Sequence, residues 1–159
     1  MCYIYNMTNT IKNIAIFDLD GTIIDSSHRQ LANADGSINL EHWFANNTSE
    51  KIAKDKLLPL SKAIKNADYV IFCTSRQLQN ADLDFFKTNG LLANKIISRP
   101  FGNTEKDGIL KKRQLQFLVN FKQFKQATKV MFDDNAEVRQ EVRKLFPVIN
   151  PNKLNKEVA

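Results

Sequence analysis

Four aspartates stand in two pairs, and each pair follows an apolar run. Asp18 and Asp20 end the stretch "NIAIFDLD" over residues 13–20, and Asp133-Asp134 follow Val130-Met131-Phe132. Carboxylates gathered this closely repel one another and stay ionised together only beside a compensating cation. Oxygen-only donors suit a hard divalent ion, and Mg2+, which keeps several waters, fits such a set. Capping the next helix would also explain an Asp after a strand. That role accounts for one acid per strand end, and poorly for two strand ends with paired acids. Other apolar runs end in further polar groups: Thr74, Ser75 and Arg76 after one, and Arg99 after another, with Lys106, Lys111 and Lys112 downstream. The spacing of Asp18 and Asp20 puts both carboxylates on one face of an extended chain, with Leu19 turned the other way into a core. Gly21 then permits the backbone turn that a crowded site needs.

These residues need a scaffold that brings distant strand ends to one rim. Short apolar runs rich in β-branched residues predict strands at Ile14–Phe17, Tyr69–Cys73, Lys95–Ile97 and Val130–Phe132, with a fifth at Val148–Ile149. Their near-continuous apolar character fits a parallel sheet covered on both faces. Helical patterns alternate with them. Leu60, Ala63, Ile64 and Ala67 repeat at helical spacing behind Pro59, and a helix over 78–89 ends at Asn89-Gly90. Phe117, Phe121 and Phe124 predict one helix face, read as core, and Val138, Val142 and Leu145 another. The alternation predicts a doubly wound α/β domain, whose chemistry sits at the carboxyl ends of the strands. Residues 26–56 are the exception: polar, with a turn at Asp35-Gly36 and a short helix near Leu40–Phe44 that His42 and Trp43 are expected to pack.

Composition narrows the class. The chain of 159 residues suffices for one domain and not two, so a single domain over 1–159 is expected, with a small flap at about 26–56. No apolar stretch approaches the ~18–20 residues of a membrane span, so no membrane partner is expected. The first residues lack a basic start followed by an apolar segment, so no signal peptide is expected. Cys2 and Cys73 fit no metal motif, and Cys73 reads as a core residue. A cytoplasmic, disulfide-free chain is the expectation. The net charge of +6 favours polyanionic partners without specifying an activity.

The motifs resemble those of the haloacid dehalogenase-like superfamily. Phe17-Asp18-Leu19-Asp20-Gly21-Thr22 looks like its first motif, Thr74 its second, Lys111 its third and Phe132-Asp133-Asp134 its fourth. The order and spacing agree over roughly residues 12–150. A closer likeness, carried by Asp25-Ser26-Ser27-His28-Arg29, Thr74-Ser75-Arg76 and Arg99-Pro100 with Gly102, Asp107 and Lys111, is to the branch that includes the 3′-phosphatase domain of polynucleotide kinase. Ser75 replaces the usual Gly of that branch and Asn135 its frequent Arg.

The resemblance implies a Rossmann-like sheet of strand order 5-4-1-2-3 and a Mg2+-dependent phosphomonoester hydrolase working through an aspartyl-phosphate. Asp18 is then the nucleophile and Asp20 the general acid and base, while Thr74 and Lys111 hold phosphoryl oxygens. The metal set is Asp18, Asp20 (including its main-chain carbonyl), Asp133 and Asp134. Arg29, Ser75, Arg76 and Arg99 are the expected substrate contacts, with pairing to a nearby acid as the other role for Arg76. The gaps between motifs leave no room for a large cap domain. An open rim and positive charge favour a phosphorylated nucleic-acid end as substrate, with a small nucleotide as the alternative and no obligate protein partner. Two further readings stand beside it: a phosphoacceptor signalling domain and a non-catalytic nucleic-acid-binding module on the same fold.

Overall fold

A computed structural model describes residues 10–157. Cys2 and the expected absence of a signal peptide fall outside the described residues. Five parallel strands form the main sheet: β1 (Asn13–Phe17), β4 (Tyr69–Cys73), β5 (Lys95–Ile97), β6 (Thr128–Phe132) and β7 (Val148–Ile149). Two short strands, β2 (Ile24–Asp25) and β3 (Lys56–Leu57), pair antiparallel outside it. The main order is β5-β4-β1-β6-β7. With the five main strands numbered along the chain, this reads 5-4-1-2-3 from the far edge, as expected. Strand order reverses at β1, later strands adding first on one side and then on the other, which makes the ends of β1, β4 and β6 the switch point where α/β sheets place their ligands.

Alternation along the strands builds two cores. Ile14, Ile16, Ile71, Cys73 and Met131 face one side, against Leu115, Leu118, Val138 and Val142. Ala15, Phe17, Val70 and Phe72 face the other, against Leu60, Ile64, Phe85 and Phe86. Burial pushes the Cys73 thiol up to about 12, so it behaves as a small apolar residue. Helices α4 (Asp107–Leu115), α5 (Phe117–Asn120), α6 (Lys122–Lys125) and α7 (Ala136–Val142) precede or follow β6 in the chain. Helix α3 (Asn80–Thr88) supplies Phe85 and Phe86 to the second core, and α8 (Asn152–Glu157) adds Leu154. α4 and α7 pack closely, because a Cβ at Gly108 would lie 2.8 Å from the Glu137 carbonyl.

Two expected helices differ from their patterns. Residues Pro59–Asn66 wind as a 3-10 helix, with Ser61 N–H donating to the Leu58 carbonyl at 3.0 Å. The Asn155 side chain accepts from Leu60 N–H at 2.9 Å, meeting a donor that has no partner within the turn. The phenylalanine helix breaks at Phe121, whose backbone is extended between α5 and α6. The break lets Phe117 pack edge-on against Phe124 at 5.4 Å and leaves Phe121 half exposed.

Residues 26–55 form an excursion closed at its base by the β2–β3 pair. It contains a 3-10 turn (Ser27–Arg29) and helices α1 (Leu40–Asn46) and α2 (Ser49–Ile52). Asn39 and Thr48 start these helices through side-chain oxygens that accept from His42 N–H and Lys51 N–H. Trp43 is buried beneath α1, as its expected packing role requires. No large cap domain is present among the described residues.

Candidate active site

The ladder of the sheet runs one residue past three strands and fixes the residues that do chemistry. Asp18 N–H donates to the Phe132 carbonyl at 2.9 Å, Thr74 N–H to that of Ile97 at 2.9 Å, and Asp133 N–H to that of Ile149 at 3.2 Å. Asp18, Thr74 and Asp133 therefore start from regular sheet geometry on neighbouring strands. After Asp18 the chain turns at once: Ile23 and Ile24 N–H both donate to the Leu19 carbonyl at 3.0 Å. Gly21 has φ +77, and a Cβ there would lie 2.4 Å from Asp134 Oδ2. Glycine is thus required twice, for the backbone and for the space that the Asp134 carboxylate occupies.

Lys111 reaches the cluster from α4. Its buried Nζ donates to Asp18 Oδ1 and Asp133 Oδ2, both at 2.7 Å. These two acids hold its ammonium well above the ordinary lysine range, so it is charged at any physiological pH. The remaining lone pairs are partly met: Thr22 Oγ donates to Asp18 Oδ2 at 3.3 Å and Asn135 N–H to Asp133 Oδ1 at 2.9 Å. Burial pushes the Asp18 carboxyl well above its usual range against the pull of Lys111, and Asp133 and Asp134 push the same way. Asp134 is raised by burial of its carboxyl and by Asp133.

Asp18, Asp133 and Asp134 each offer an oxygen, all within 4.8 Å of one another. Three carboxylates against one lysine leave an excess of negative charge in a partly buried place. An all-oxygen set with that deficit of positive charge fits a hard divalent cation.

Asp20 stands apart from this group. Its Oδ1 accepts from Ser26 Oγ at 2.8 Å and its Oδ2 from Arg76 Nε at 2.6 Å. Of the four acids expected around a metal, the structure brings three together and turns the Asp20 side chain to the rim.

The expected substrate contacts fall out differently. Arg29 is fully buried, which corrects its expected place on an open rim. It grips Asp55 with Nε at 2.9 Å and Nη2 at 2.7 Å, donates to Asn47 at 2.8 Å and stacks on Trp43 at 4.4 Å. His28 joins Asp55 at 2.8 Å. A guanidinium so occupied fastens the flap. Arg99 is likewise spent, on Asn103, Glu105 and Asp107 of its own loop and on the Ser75 carbonyl after β4. Arg76 takes the acid-pairing role: besides Asp20, its Nη1 lies 2.8 Å from Asp82 Oδ1, close enough for an ion pair without hydrogen-bond alignment. Thr74 is buried at the strand end, and the Ser75 hydroxyl beside it is buried without a hydrogen-bond partner.

Several supporting residues escaped the sequence reading. Asp82 looks like an ordinary helix-start acid and Asp55 like one charge between two lysines. Ser26 and Thr22 lie inside quoted motifs without an assigned part. Arg139 braces the acid pair from α7, donating to the carbonyls of Asp133 at 3.1 Å and Asp134 at 2.6 Å. Only its place six residues after Asp133 signals this.

The fold is similar to that of haloacid dehalogenase-like hydrolases. A haloacid dehalogenase-like family hydrolase from Streptococcus pneumoniae superposes with a TM-score of 0.58 at 12% identity, covering 93% of this chain and 99% of that one. A HAD-superfamily hydrolase of subfamily IA from Geobacter sulfurreducens gives 0.57 at 11%, covering 86% and 85%. A chain of the Pnkp1/Rnl/Hen1 complex gives 0.56 at 22% identity and covers 89% of this chain. This chain spans only 46% of it, and 43% of the related chain of the Pnkp1/Rnl/Hen1 RNA repair complex. No curated protein matches.

Over residues 5–156 the sequence matches the family described as bacteriophage T5 5′-deoxynucleotidase, and the chain belongs to that family. No helix among the described residues is long and apolar enough to cross a membrane.

Proposed function

We propose that this chain is a phosphatase that removes the 5′-phosphate of deoxynucleoside monophosphates through an aspartyl-phosphate at Asp18. Lys111, shared at 2.7 Å between Asp18 and Asp133 on the rim of neighbouring strands, carries this reading. It holds the Asp18 carboxylate in place and sets a permanent positive charge where phosphoryl oxygens arrive. An Asp18 oxygen attacks phosphorus and the bond to the nucleoside 5′-oxygen breaks. Asp20 gives that oxygen a proton, then takes one from the water that hydrolyses the acyl-phosphate. Phosphate leaves and Asp18 is restored. Thr74 and the Ser75 main-chain N–H hold phosphoryl oxygens as charge develops on them. Mg2+ would be held by Asp18, Asp133, Asp134 and the Asp20 carbonyl, and would supply positive charge to the acids and the phosphate.

The family supports a mononucleotide substrate. The flap supports it too: Gln79 Nε2 donates to the Asn47 carbonyl at 3.0 Å, fastening the flap to the rim beside Arg76. A phosphorylated nucleic-acid end is the second reading, favoured by the net charge of +6. Comparing kcat/KM for a deoxynucleoside 5′-monophosphate, its 3′ isomer and a 3′-phosphorylated oligonucleotide at two salt concentrations separates them. The 5′-mononucleotide should win at both salts. An oligonucleotide advantage that shrinks with salt would favour the second reading.

A further inference from the structure

The loop after β5 carries an aromatic ring that nothing among the described residues packs. Phe101 is 95% exposed, the highest among the exposed large apolar residues. A single exposed apolar residue is ordinary on a protein surface. This one sits on a loop held far more tightly than its exposure requires. Asn103 N–H donates to the Pro100 carbonyl at 3.1 Å, and Gly102 has φ +75, so Phe101 occupies the first corner of a type II turn. The Arg99 guanidinium braces that turn from beneath, donating to Asn103 Oδ1 at 2.8 Å, the Glu105 carbonyl at 2.8 Å and Asp107 Oδ1 at 2.7 Å. Asn103 Nδ2 adds a bond to Glu105 at 2.7 Å. Fixing a loop costs conformational entropy, and here the whole network serves to hold a turn that shows its ring to water.

The same arginine ties the turn to the catalytic rim. Its Nε donates to the Ser75 carbonyl at 2.6 Å, and its main-chain N–H to the Arg76 carbonyl at 3.1 Å. These two residues directly follow Thr74. Adjacent strands lie about 4.8 Å apart, so a loop leaving β5 starts on the order of 10 Å to the side of Asp18 on β1. In a 5′-nucleotide one deoxyribose separates the phosphate from the base, a span of that order. We infer that Phe101 is the platform of a nucleobase subsite: with the phosphate at Asp18, the base stacks on its ring. A ring carried on a turn whose backbone is already fixed gains stacking without ordering the loop on binding. Every base has a π-face, so this contact favours nucleotides over simple phosphate esters without choosing among bases.

The inference rests on the nucleotidase reading, and its test is kept separate from turnover. Asp18→Asn protein and the Asp18→Asn/Phe101→Ala double variant are titrated calorimetrically in millimolar Mg2+ with deoxyadenosine 5′-monophosphate and with deoxyribose 5-phosphate. Thermal melts confirm that both fold. Removing the ring should weaken the nucleotide at least about fivefold more than the sugar phosphate, and Phe101→Trp should recover the difference. Equal losses for both ligands, or no nucleotide preference in the protein that keeps Phe101, would overturn the subsite. Wild-type turnover of deoxyribose 5-phosphate without turnover of any deoxynucleotide would instead refute the proposed substrate, while the binding contrast still decides the stack.

Discussion

Asp18 is held in a place that does not suit a charge. Burial raises its carboxyl while Lys111 favours its ionised form. Asp18→Asn should therefore cost no stability in chelator, and its melting temperature should match or exceed wild type. Its kcat should fall by more than about a hundredfold, or ~2.7 kcal/mol of barrier, since an amide is no nucleophile. Lys111→Met should behave in the opposite sense on stability. It leaves Asp18 and Asp133 buried against each other, and losing one partner of a buried ion pair typically costs about 3–5 kcal/mol. Urea unfolding of the two variants, in chelator, should order them Asp18→Asn above Lys111→Met. The acids and the lysine were readable from the sequence because each follows a strand or motif. The arginines' partners were not, because they are distant: Arg29 meets Asp55, 26 residues on, and Arg76 meets Asp20, 56 residues back, so acid pairing stood only as the other role for Arg76. A lone cation in a polar loop looks the same whether it faces substrate or a buried acid.

At the scale of elements, α4 delivers Lys111 and its distance from α7 sets the reach. Gly108→Ala would put a methyl group 2.8 Å from the Glu137 carbonyl. Backbone cannot yield as a side-chain tip can, so α4 must shift. Activity should drop at least about tenfold, because misplacing a catalytic group by ~1 Å costs ~100-fold. The loop before α4 carries a pH signature. Arg113 and Asn103 hold the Glu105 carboxyl down to about 2, from an ordinary 4.5. A depressed acid contributes stability above its unfolded pKa and loses it as pH falls toward the folded one. Wild type should thus melt slightly above Glu105→Gln at neutral pH, with the gap closing between 4.5 and about 2. The gap is small because the pair is exposed and screened. The five strands of the main sheet were legible to within two residues, since parallel strands write continuous apolar runs, whereas the two-residue β2 and β3 carry no such run. Local periodicity does not decide between α and 3-10 winding at Pro59–Asn66, nor does it show that Phe121 breaks its helix to let Phe117 and Phe124 meet. Both outcomes depend on packing from elsewhere in the chain.

For the whole molecule, folding gathers negative charge that the protein neutralises only in part. Asp18, Asp133 and Asp134 meet at one point with Lys111 as the ammonium between two of them. A ligand that binds only the folded state stabilises it by mass action. Millimolar Mg2+ should therefore raise the melting temperature over that in chelator, and Asp133→Ala should abolish the rise. Equal midpoints with and without the metal would speak against the cation site. The central claim is that Asp18 takes the phosphoryl group from a deoxynucleotide. Its most direct test is a rapid acid quench during turnover of a deoxynucleoside 5′-monophosphate in Mg2+, followed by peptide mass spectrometry. A phosphoryl adduct on Asp18, absent from Asp18→Asn, is the predicted result. Steady turnover with no adduct on Asp18, together with wild-type rates in Asp18→Asn, would contradict it.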